Sequence, residues 1–506
     1  MIRDGDGVAI SGFHECVVAR ELYKELGNRF RETGHPKDLT LVQASGNLGV
    51  VEMTEEGLFA HYVAGHYTYN QKMIDMINQN KLKSHNLPQG VIAHMYRAVA
   101  GGKPGELTKI GLNTFCDPRF GGGKMNEITT EDLVFLQEIE GEEYLLYKLP
   151  KLDIGLIRGT SADEWGNITV EDESAPEDIL DVAMAVKSMG GKVIAQVKQC
   201  VDSRSFDRSE VVVPGNLVDA VVVCTDPLNN HKQTATVYYD PAMAGHRHID
   251  VDFGTLPLNE RKVIARRTAL ELSPNSVVNL GIGIPEGVAM VASEEGVSDH
   301  LTLTIESGLI GGVPAGGDHF GSSYNAWAAL PMSAQFDYYH GGGLNICSLG
   351  FAEVNPQGDV NVSRFGTKIA GVGGFIDISQ SSPVTVFSGT MTAGGLKVEV
   401  SDGKLQILQE GKKKKFLNTI GQLTFSAKQS RKSGQKVLFV TERCVFELDN
   451  DGLVLTEIAP GVTVEEHILP CMEFVPRISP NLKTMDARLF SEGLMGLADM
   501  LKNKSL

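Results

Sequence analysis

Cysteine is sparse and unpatterned in this chain: Cys16, Cys116, Cys200, Cys224, Cys347, Cys444 and Cys471 are seven residues among 506. Their number is odd, they are dispersed, and no CxxC pair occurs, which excludes a disulfide framework, offers no zinc site and fits a reducing cytoplasm. No apolar run reaches the roughly 18 residues of a membrane span. The start, Met1-Ile2-Arg3-Asp4-Gly5-Asp6-Gly7, is polar and has no signal-peptide core. Basic charge is also short, with 46 Lys and Arg against 63 Asp and Glu and a formal net charge of -17. A nucleic-acid binder needs basic surface to displace counterions, and so does a protein that docks on anionic lipid, so neither partner is expected. No Ser/His/Asp arrangement stands out. No lysine sits in a phosphate-loop pattern, and His61, His66, His319 and His340, read as loop residues, have no metal-ligand spacing.

What is present is a soluble globular composition, 42% hydrophobic and 22% charged, with 56 glycines clustered beside apolar runs. A length of 506 residues at about 150 per domain predicts two to four units. The chain repeats itself. Asp4-Gly5-Asp6-Gly7-Val8-Ala9-Ile10-Ser11-Gly12-Phe13, a helical pattern, then Asp38-Leu39-Thr40-Leu41-Val42-Gln43-Ala44-Ser45-Gly46 has a counterpart later. There Ser276-Val277-Val278-Asn279-Leu280-Gly281-Ile282-Gly283 leads to a helix predicted to start at Pro285 or Glu286. His300-Leu301-Thr302-Leu303-Thr304-Ile305-Glu306-Ser307-Gly308 follows, aligned without a gap, so that Glu306 falls opposite Ala44. Gly159–Val170 and Gly350–Val362 form a second matching pair. Strand, glycine turn, helix, strand is the grammar of parallel α/β units, so each half is expected to be an open α/β domain from an internal duplication. The predicted boundaries are 1–236, a linker over 237–256, and 257–506. Residues 257–270 read as the first helix of the second domain, with a proline start.

Glu306 closes an apolar strand and precedes Ser307-Gly308 and the glycine-rich run Gly311-Gly312-Val313-Pro314-Ala315-Gly316-Gly317. The carboxyl end of a strand is where open α/β sheets hold ligands. By context alone the residue is either a site carboxylate or the cap of a neighbouring turn. Gly281-Ile282-Gly283-Ile284-Pro285 has the wrong spacing for a dinucleotide fingerprint. It reads as a loop whose N–H groups, with the following helix start, hold phosphate or developing negative charge. Gly371-Val372-Gly373-Gly374-Phe375-Ile376-Asp377-Ile378 is a third glycine loop, either a tight turn or a ligand contact. Lys412-Lys413-Lys414-Lys415 with Arg431-Lys432 is a local basic patch, either a solvated hairpin or a phosphate contact.

These blocks, with Gly341-Gly342-Gly343-Leu344 and Gly373-Gly374-Phe375-Ile376-Asp377-Ile378-Ser379-Gln380, occur in the order found in family I coenzyme A transferases. The chain resembles that family over nearly its whole length, with both halves fused, and is most similar to the short-chain acyl-CoA:acetate, propionate or lactate group. It departs in the first half, where Ser11-Gly12-Phe13 is followed by His14-Glu15-Cys16-Val17 instead of Gly-x-Pro. It departs again at Ser307, where the ketoacid branch carries Asn. Members usually carry a lysine-rich lead before the first strand, so the resemblance implies that a short N-terminal element is missing here.

The resemblance implies two similar open α/β domains with the active site between them, and a ping-pong reaction with Glu306 as nucleophile. It implies Gly373 and Gly374 as oxyanion and CoA-binding loop, and Gln89 of Pro88-Gln89-Gly90 near the nucleophile. Gly281, Ile282, Gly283, Ile284 and Pro285 become a second CoA-binding loop. Coenzyme A would be substrate and covalent intermediate, with no metal or other cofactor. The partners would be acyl-CoA and short-chain carboxylates (acetate, propionate, butyrate, lactate), in a cytoplasmic homo-oligomer, dimer or tetramer. An acyl-CoA hydrolase on the same scaffold and a 3-oxoacid CoA-transferase are the alternative enzymes. A sensor protein is disfavoured, because no helix-turn-helix segment or basic arm is apparent.

Overall fold

The computed structural model describes residues 1–67, 70–202, 205–251 and 254–502. The chain divides into two compact units. The first comprises Met1–Asp250, Ile305–Asp337 and Gly366–Asp377, and the second Val251–Thr304, Tyr338–Phe365 and Ile378–Leu506. The boundary at Asp250 and Val251 lies inside the stretch expected as a linker, 237–256; Asp252 and Phe253 of that stretch lie outside the described residues.

The first unit is built on a seven-stranded parallel sheet. Its strands are β1 (Gly7–Ile10), β2 (Leu39–Gln43), β3 (Phe59–Ala64), β4 (Lys83–Asn86), β5 (Ile154–Arg158), β6 (Lys192–Val197) and β7 (Ala220–Val223). The spatial order is β7-β6-β5-β1-β2-β3-β4. β1 and β5 are buried at every position, as strands covered on both faces must be, and they read as continuous apolar runs. Helices α1 (Arg20–Thr33), α2 (Gln71–Asn78), α3 (Gln89–Ala100) and α4 (Ile179–Ser188) belong to the crossovers. The chain runs outward from β1 to β4 and then returns to the other side of β1. The order therefore reverses between β1 and β5, and such a reversal opens a crevice at the carboxyl ends of the strands.

The second unit repeats the plan. Its strands are β8 (Ser276–Leu280), β9 (Leu301–Thr304), β10 (Ile346–Leu349), β11 (Val384–Ser388), β12 (Lys436–Val440), β13 (Cys444–Asp449), β14 (Gly452–Ile458) and β15 (Arg477–Thr484). They lie in the order β9-β8-β10-β11-β12-β13-β14-β15. Strands β9 to β12 are parallel to their neighbours, and β13 and β14 are antiparallel additions. The expected duplication is visible in the pairing. β1 lies beside β2 with Val8 opposite Leu41, and β8 lies beside β9 with Val278 opposite Leu303. β5 and β10, which precede the second matching sequence pair, occupy the other flank of β1 and β8.

Two predicted starts shift. The helix expected from Pro285 or Glu286 is α6 (Gly287–Glu294), with Glu286 as its cap residue. The helix expected over 257–270 is α5 (Glu260–Ala269). Here Asn259, not the proline, sets the start: its side chain accepts the N–H groups of Arg261 and Lys262 at 3.0 and 3.2 Å. α5 is basic yet buried, because each cation meets oxygen. Lys262 pairs with Glu294 at 2.8 Å. Arg267 grips Glu457 with two bonds of 2.7 and 2.8 Å, and Arg266 donates to the Ser491 carbonyl at 2.7 Å.

His61 is not in a loop. It lies on β3, nearly buried, with its Nε2 2.8 Å from Nδ1 of the buried His85 on β4. Burial pushes the His61 imidazole down to about 4 and that of His85 down to about 3. Around them Glu131 favours protonation and Lys83 opposes it for His61, while Lys124 opposes it for His85. Both rings are neutral in the fold and bind protons once unfolded. Their stabilisation is therefore complete above pH about 6.5 and is lost as pH falls toward about 4. Urea unfolding at pH about 7 and about 5 should differ by on the order of 4 kcal/mol more in the wild-type chain than in a His61→Gln/His85→Gln variant, about 2 from each ring. Asp178 and Asp181, pushed up by burial to about 7 and about 6, work in the opposite sense but act equally in both proteins.

Candidate active site

Two segments from late in the sequence belong to the first unit, and one of them carries Glu306. The residue follows β9 by two positions in a turn closed by Ile305 N–H to Leu309 O (2.9 Å) and Gly308 N–H to Ile305 O (3.1 Å). A two-stranded antiparallel ribbon continues from it, with Leu309 opposite Ala329 and Ile310 opposite Ala328. Ile305 and Leu309, buried on either side of Glu306, pack with Ala175 and Ala326. Two apolar anchors thus hold the backbone while the carboxylate between them stays half-buried. Gly308 completes the turn at φ 113°, where a Cβ would lie 1.9 Å from the Leu330 carbonyl oxygen. Leu330 in turn donates its N–H to Gly308 O at 2.8 Å. No side chain other than hydrogen fits there. Ser307 is fully buried, and its hydroxyl has no partner among the described residues.

Gln89 opens α3 after Pro88, whose fixed φ suits the position before a helix. It is buried. Its backbone N–H donates to Gly373 O at 2.9 Å, and its side-chain amide lies 3.7 Å from the Met332 sulfur. The Gly371–Gly374 loop is sewn to the carboxyl ends of β3 and β4. Gly373 N–H donates to Gly65 O at 2.7 Å, Tyr67 N–H to Ala370 O at 2.8 Å, and Val372 N–H to the Asn86 side chain at 2.9 Å. Gly373 N–H is therefore occupied. Gly374 N–H, just before the helix Phe375–Ser381, makes no hydrogen bond among the described residues and is a free donor of the loop.

Sequence reasoning overlooks Asn86, which is the knot of this arrangement. Besides accepting from Val372, it donates to Ala64 O and Gly65 O at 2.8 and 2.7 Å. The available signal is an amide at a strand end directly ahead of Leu87-Pro88. His66, expected as an ordinary loop residue, is half-buried against Gly46 and bridges Gly371, and desolvation pushes its imidazole down to about 4. Glu177 also escapes the sequence reading. It is 1% exposed, holds φ 54°, and neither carboxyl oxygen has a partner among the described residues. Burial, reinforced by Asp178 and Glu173, pushes its carboxyl well above the usual carboxylate range. Its carbonyl accepts the Met332 N–H at 2.8 Å, and it lies two residues along the chain from Ala175, which packs against the Glu306 turn.

The Gly281–Pro285 loop belongs to the second unit, at the carboxyl end of β8. Gly281 N–H donates to Ser348 O at 2.8 Å, Arg261 donates to Gly283 O at 3.0 Å, and Ile282 is 57% exposed. The start of α6 follows directly, and its first N–H groups turn back onto the loop: Gly287 donates to Ile284 O at 3.1 Å, Val288 to Pro285 O at 3.0 Å and Ala289 to Glu286 O at 3.1 Å. Among the described residues no cluster of His, Cys, Asp and Glu is arranged to hold a metal ion, and no helix is long and apolar enough to cross a membrane.

Within the first unit, a carboxylate on a strand-end turn and a free loop amide are groups that suit covalent exchange of an acyl group. Comparison with known proteins agrees. The coenzyme A transferase family profile matches residues 1–224. Caffeate CoA-transferase of Acetobacterium woodii is 46% identical over 98% of this chain and 97% of its own length. Acetate CoA-transferase YdiF of Escherichia coli K12 is 44% identical over 94% of this chain and 91% of its own. The crystal structure of the acyl-CoA transferase YdiF from Escherichia coli O157:H7 covers 98% of this chain and 95% of its own at 42% identity. Its TM-score is 0.92 for the apoenzyme and 0.90 for a thioester complex with CoA. With identity of this order along the full length, the chain belongs to the coenzyme A transferase family.

Proposed function

We propose that this enzyme moves CoA from a short-chain acyl-CoA to a free carboxylate such as acetate, propionate, butyrate or lactate, through a glutamyl-CoA thioester on Glu306. The observation that carries the reading is the Glu306 turn: a half-buried glutamate whose backbone is fixed by buried Ile305 and Leu309. The Glu306 carboxylate attacks the thioester carbonyl, the C–S bond breaks, and a mixed anhydride and CoA thiolate result. The thiolate attacks the glutamyl carbonyl and releases the first carboxylic acid as its anion. The acceptor carboxylate then reverses both steps. The high-energy acyl bond is conserved throughout, provided water is kept out.

Each attack places negative charge on a carbonyl oxygen. Gly374 N–H and the Gln89 side-chain amide are the donors assigned to it, while Gly373 holds the loop in position. The Gly281–Pro285 turn and the α6 start are assigned to the CoA phosphates or pantetheine amides. The relatives named for acetate and caffeate favour carboxylate acceptors over 3-oxoacids, and Ser307 in place of the ketoacid branch's Asn agrees. A net charge of -17 and six buried free cysteines out of seven fit a cytoplasmic enzyme, and we assign it a homo-oligomeric state, dimer or tetramer.

Incubation with acyl-CoA alone separates transferase from hydrolase. A transferase accumulates a CoA adduct on the peptide containing Glu306, read by mass spectrometry. Hydrolysis of acyl-CoA with no such adduct would replace this reading with general-base activation of water. Acetate, propionate, butyrate, lactate, caffeate and acetoacetate, tried as acceptors, would then rank the substrates.

A further inference from the structure

The four consecutive lysines 412–415 do not share a fate. Lys412, Lys413 and Lys414 are exposed, whereas Lys415 turns inward and is 8% exposed. Its ammonium sits 3.9 Å from the centre of the Phe351 ring, and it forms no hydrogen bond or ion pair among the described residues. A buried cation without a paired anion is rare, because desolvation of the charge goes uncompensated apart from the ring's quadrupole. Glu442 is the nearby carboxylate, fully buried but already engaged by Arg443 at 2.6 Å and by the Met391 N–H at 2.9 Å. Arg443 is further neutralised by Glu410.

The backbone that delivers Lys415 is fixed, since its carbonyl accepts the Val354 N–H at 2.8 Å and Phe416 beside it is fully buried. The amine ends at a defined place in the second unit. Phe351 follows the carboxyl end of β10 by two residues, and Gly389 directly follows the carboxyl end of β11. A Cβ on residue 389 would come within 2.8 Å of the Lys415 nitrogen, so the glycine makes the space the amine occupies. β8, which ends in the Gly281–Pro285 turn, is the next strand beyond β10. The amine therefore lies on the edge of the sheet where a ligand is expected, one strand from the turn assigned to CoA.

We propose that Lys415 is a reactive amine, a site of Nε-acylation by acyl-CoA held at this edge. The proposal rests on the transferase reading for its acyl donor. The neutral amine attacks the thioester carbonyl, a C–N bond forms as the C–S bond breaks, and the amine's proton passes to the departing CoA thiolate. The products are an amide on Lys415 and free CoA, with no change of oxidation state. Burial supports the reactivity, pushing the amine down to about 8 against the pull of Glu442, so that a large share is uncharged just above neutral pH. Exposed lysines titrate near 10.4 and stay charged there. The added acyl group has no room beside Gly389 and Phe351, so acylation disturbs the loops of the CoA edge and lowers activity.

The test uses the full chain with propionyl-CoA at pH about 7, 8 and 9, with half of each sample treated with hydroxylamine before peptide mass spectrometry. Amides survive hydroxylamine; the anhydride or thioester on Glu306 does not. The expected result is a resistant propionyl group on Lys415, at pH about 8 about tenfold more abundant than on Lys412, Lys413 or Lys414, and rising between pH 7 and 9. Labelling of Lys415 at or below the level of its three neighbours, with the labile Glu306 adduct present, overturns the proposal and leaves the transferase reading standing. Resistant label on Lys415 without a Glu306 adduct does the reverse. In parallel, slow loss of activity in propionyl-CoA is expected for wild type and for Lys413→Arg but not for Lys415→Arg. An equal loss in all three also overturns the proposal, and the wild-type labelling decides if Lys415→Arg fails to fold.

Discussion

Glu306→Ala is expected to lower kcat by about 10⁴-fold or more, while thermal unfolding moves little. Activity falls that far because the carboxylate is the atom group that forms and breaks the covalent bond, and no neighbour can take over the role. Stability is spared because the side chain is half-buried, between backbone anchors that alanine leaves in place; about 0.5 kcal/mol or less is expected. The variant should also fail to acquire CoA from acyl-CoA, and borohydride, which reduces the wild-type thioester to a dead alcohol, should find nothing to reduce. Residual activity above a few per cent in a preparation free of wild type would sink the nucleophile assignment. Glu306→Asp is the finer probe. It retracts the oxygens by about one methylene, and a displacement near 1 Å costs on the order of 10²-fold in rate.

Gly308→Ala carries the second large effect. The new methyl group meets a backbone oxygen at 1.9 Å, and φ 113° is itself closed to alanine. Rotamer changes cannot relieve an overlap with the main chain. The strand partner of the turn, Leu330, has to move, and the carboxylate two residues away moves with it. A fall of about 10²-fold in kcat is expected, together with a lower melting temperature. The pattern separates this variant from Glu306→Ala: it should still form the CoA adduct, only slowly. Full activity in Gly308→Ala would mean that the turn geometry does not position the nucleophile.

Much of the fold is legible because it is written in local pattern. Buried parallel strands appear as apolar runs closed by glycine, and the duplicated order of β1, β2 and β5 against β8, β9 and β10 follows from short matching stretches. Helix starts are less legible. A proline marks the α5 start in the sequence, while the Asn259 side chain sets it in the fold by capping two N–H groups. His61 is hard to place because a histidine inside a six-residue strand looks like a break until its partner His85 on the adjacent strand is known.

By itself the sequence determined that Glu306 follows an apolar strand, that glycine loops follow three strands or precede helices, and that the chain carries the blocks of the coenzyme A transferases in their order. Those are properties of neighbours along the chain. Tertiary structure alone decided that the Glu306 segment and the Gly371–Gly374 loop belong to the first unit. It also decided that Gly373 N–H is occupied while Gly374 N–H is free, and that one lysine of four faces inward. Each of these depends on partners far away in sequence, such as Asn86 for Val372, 286 residues apart. A hydrogen bond or a contact is set by distance in space, and local periodicity carries no record of which distant backbone arrives there.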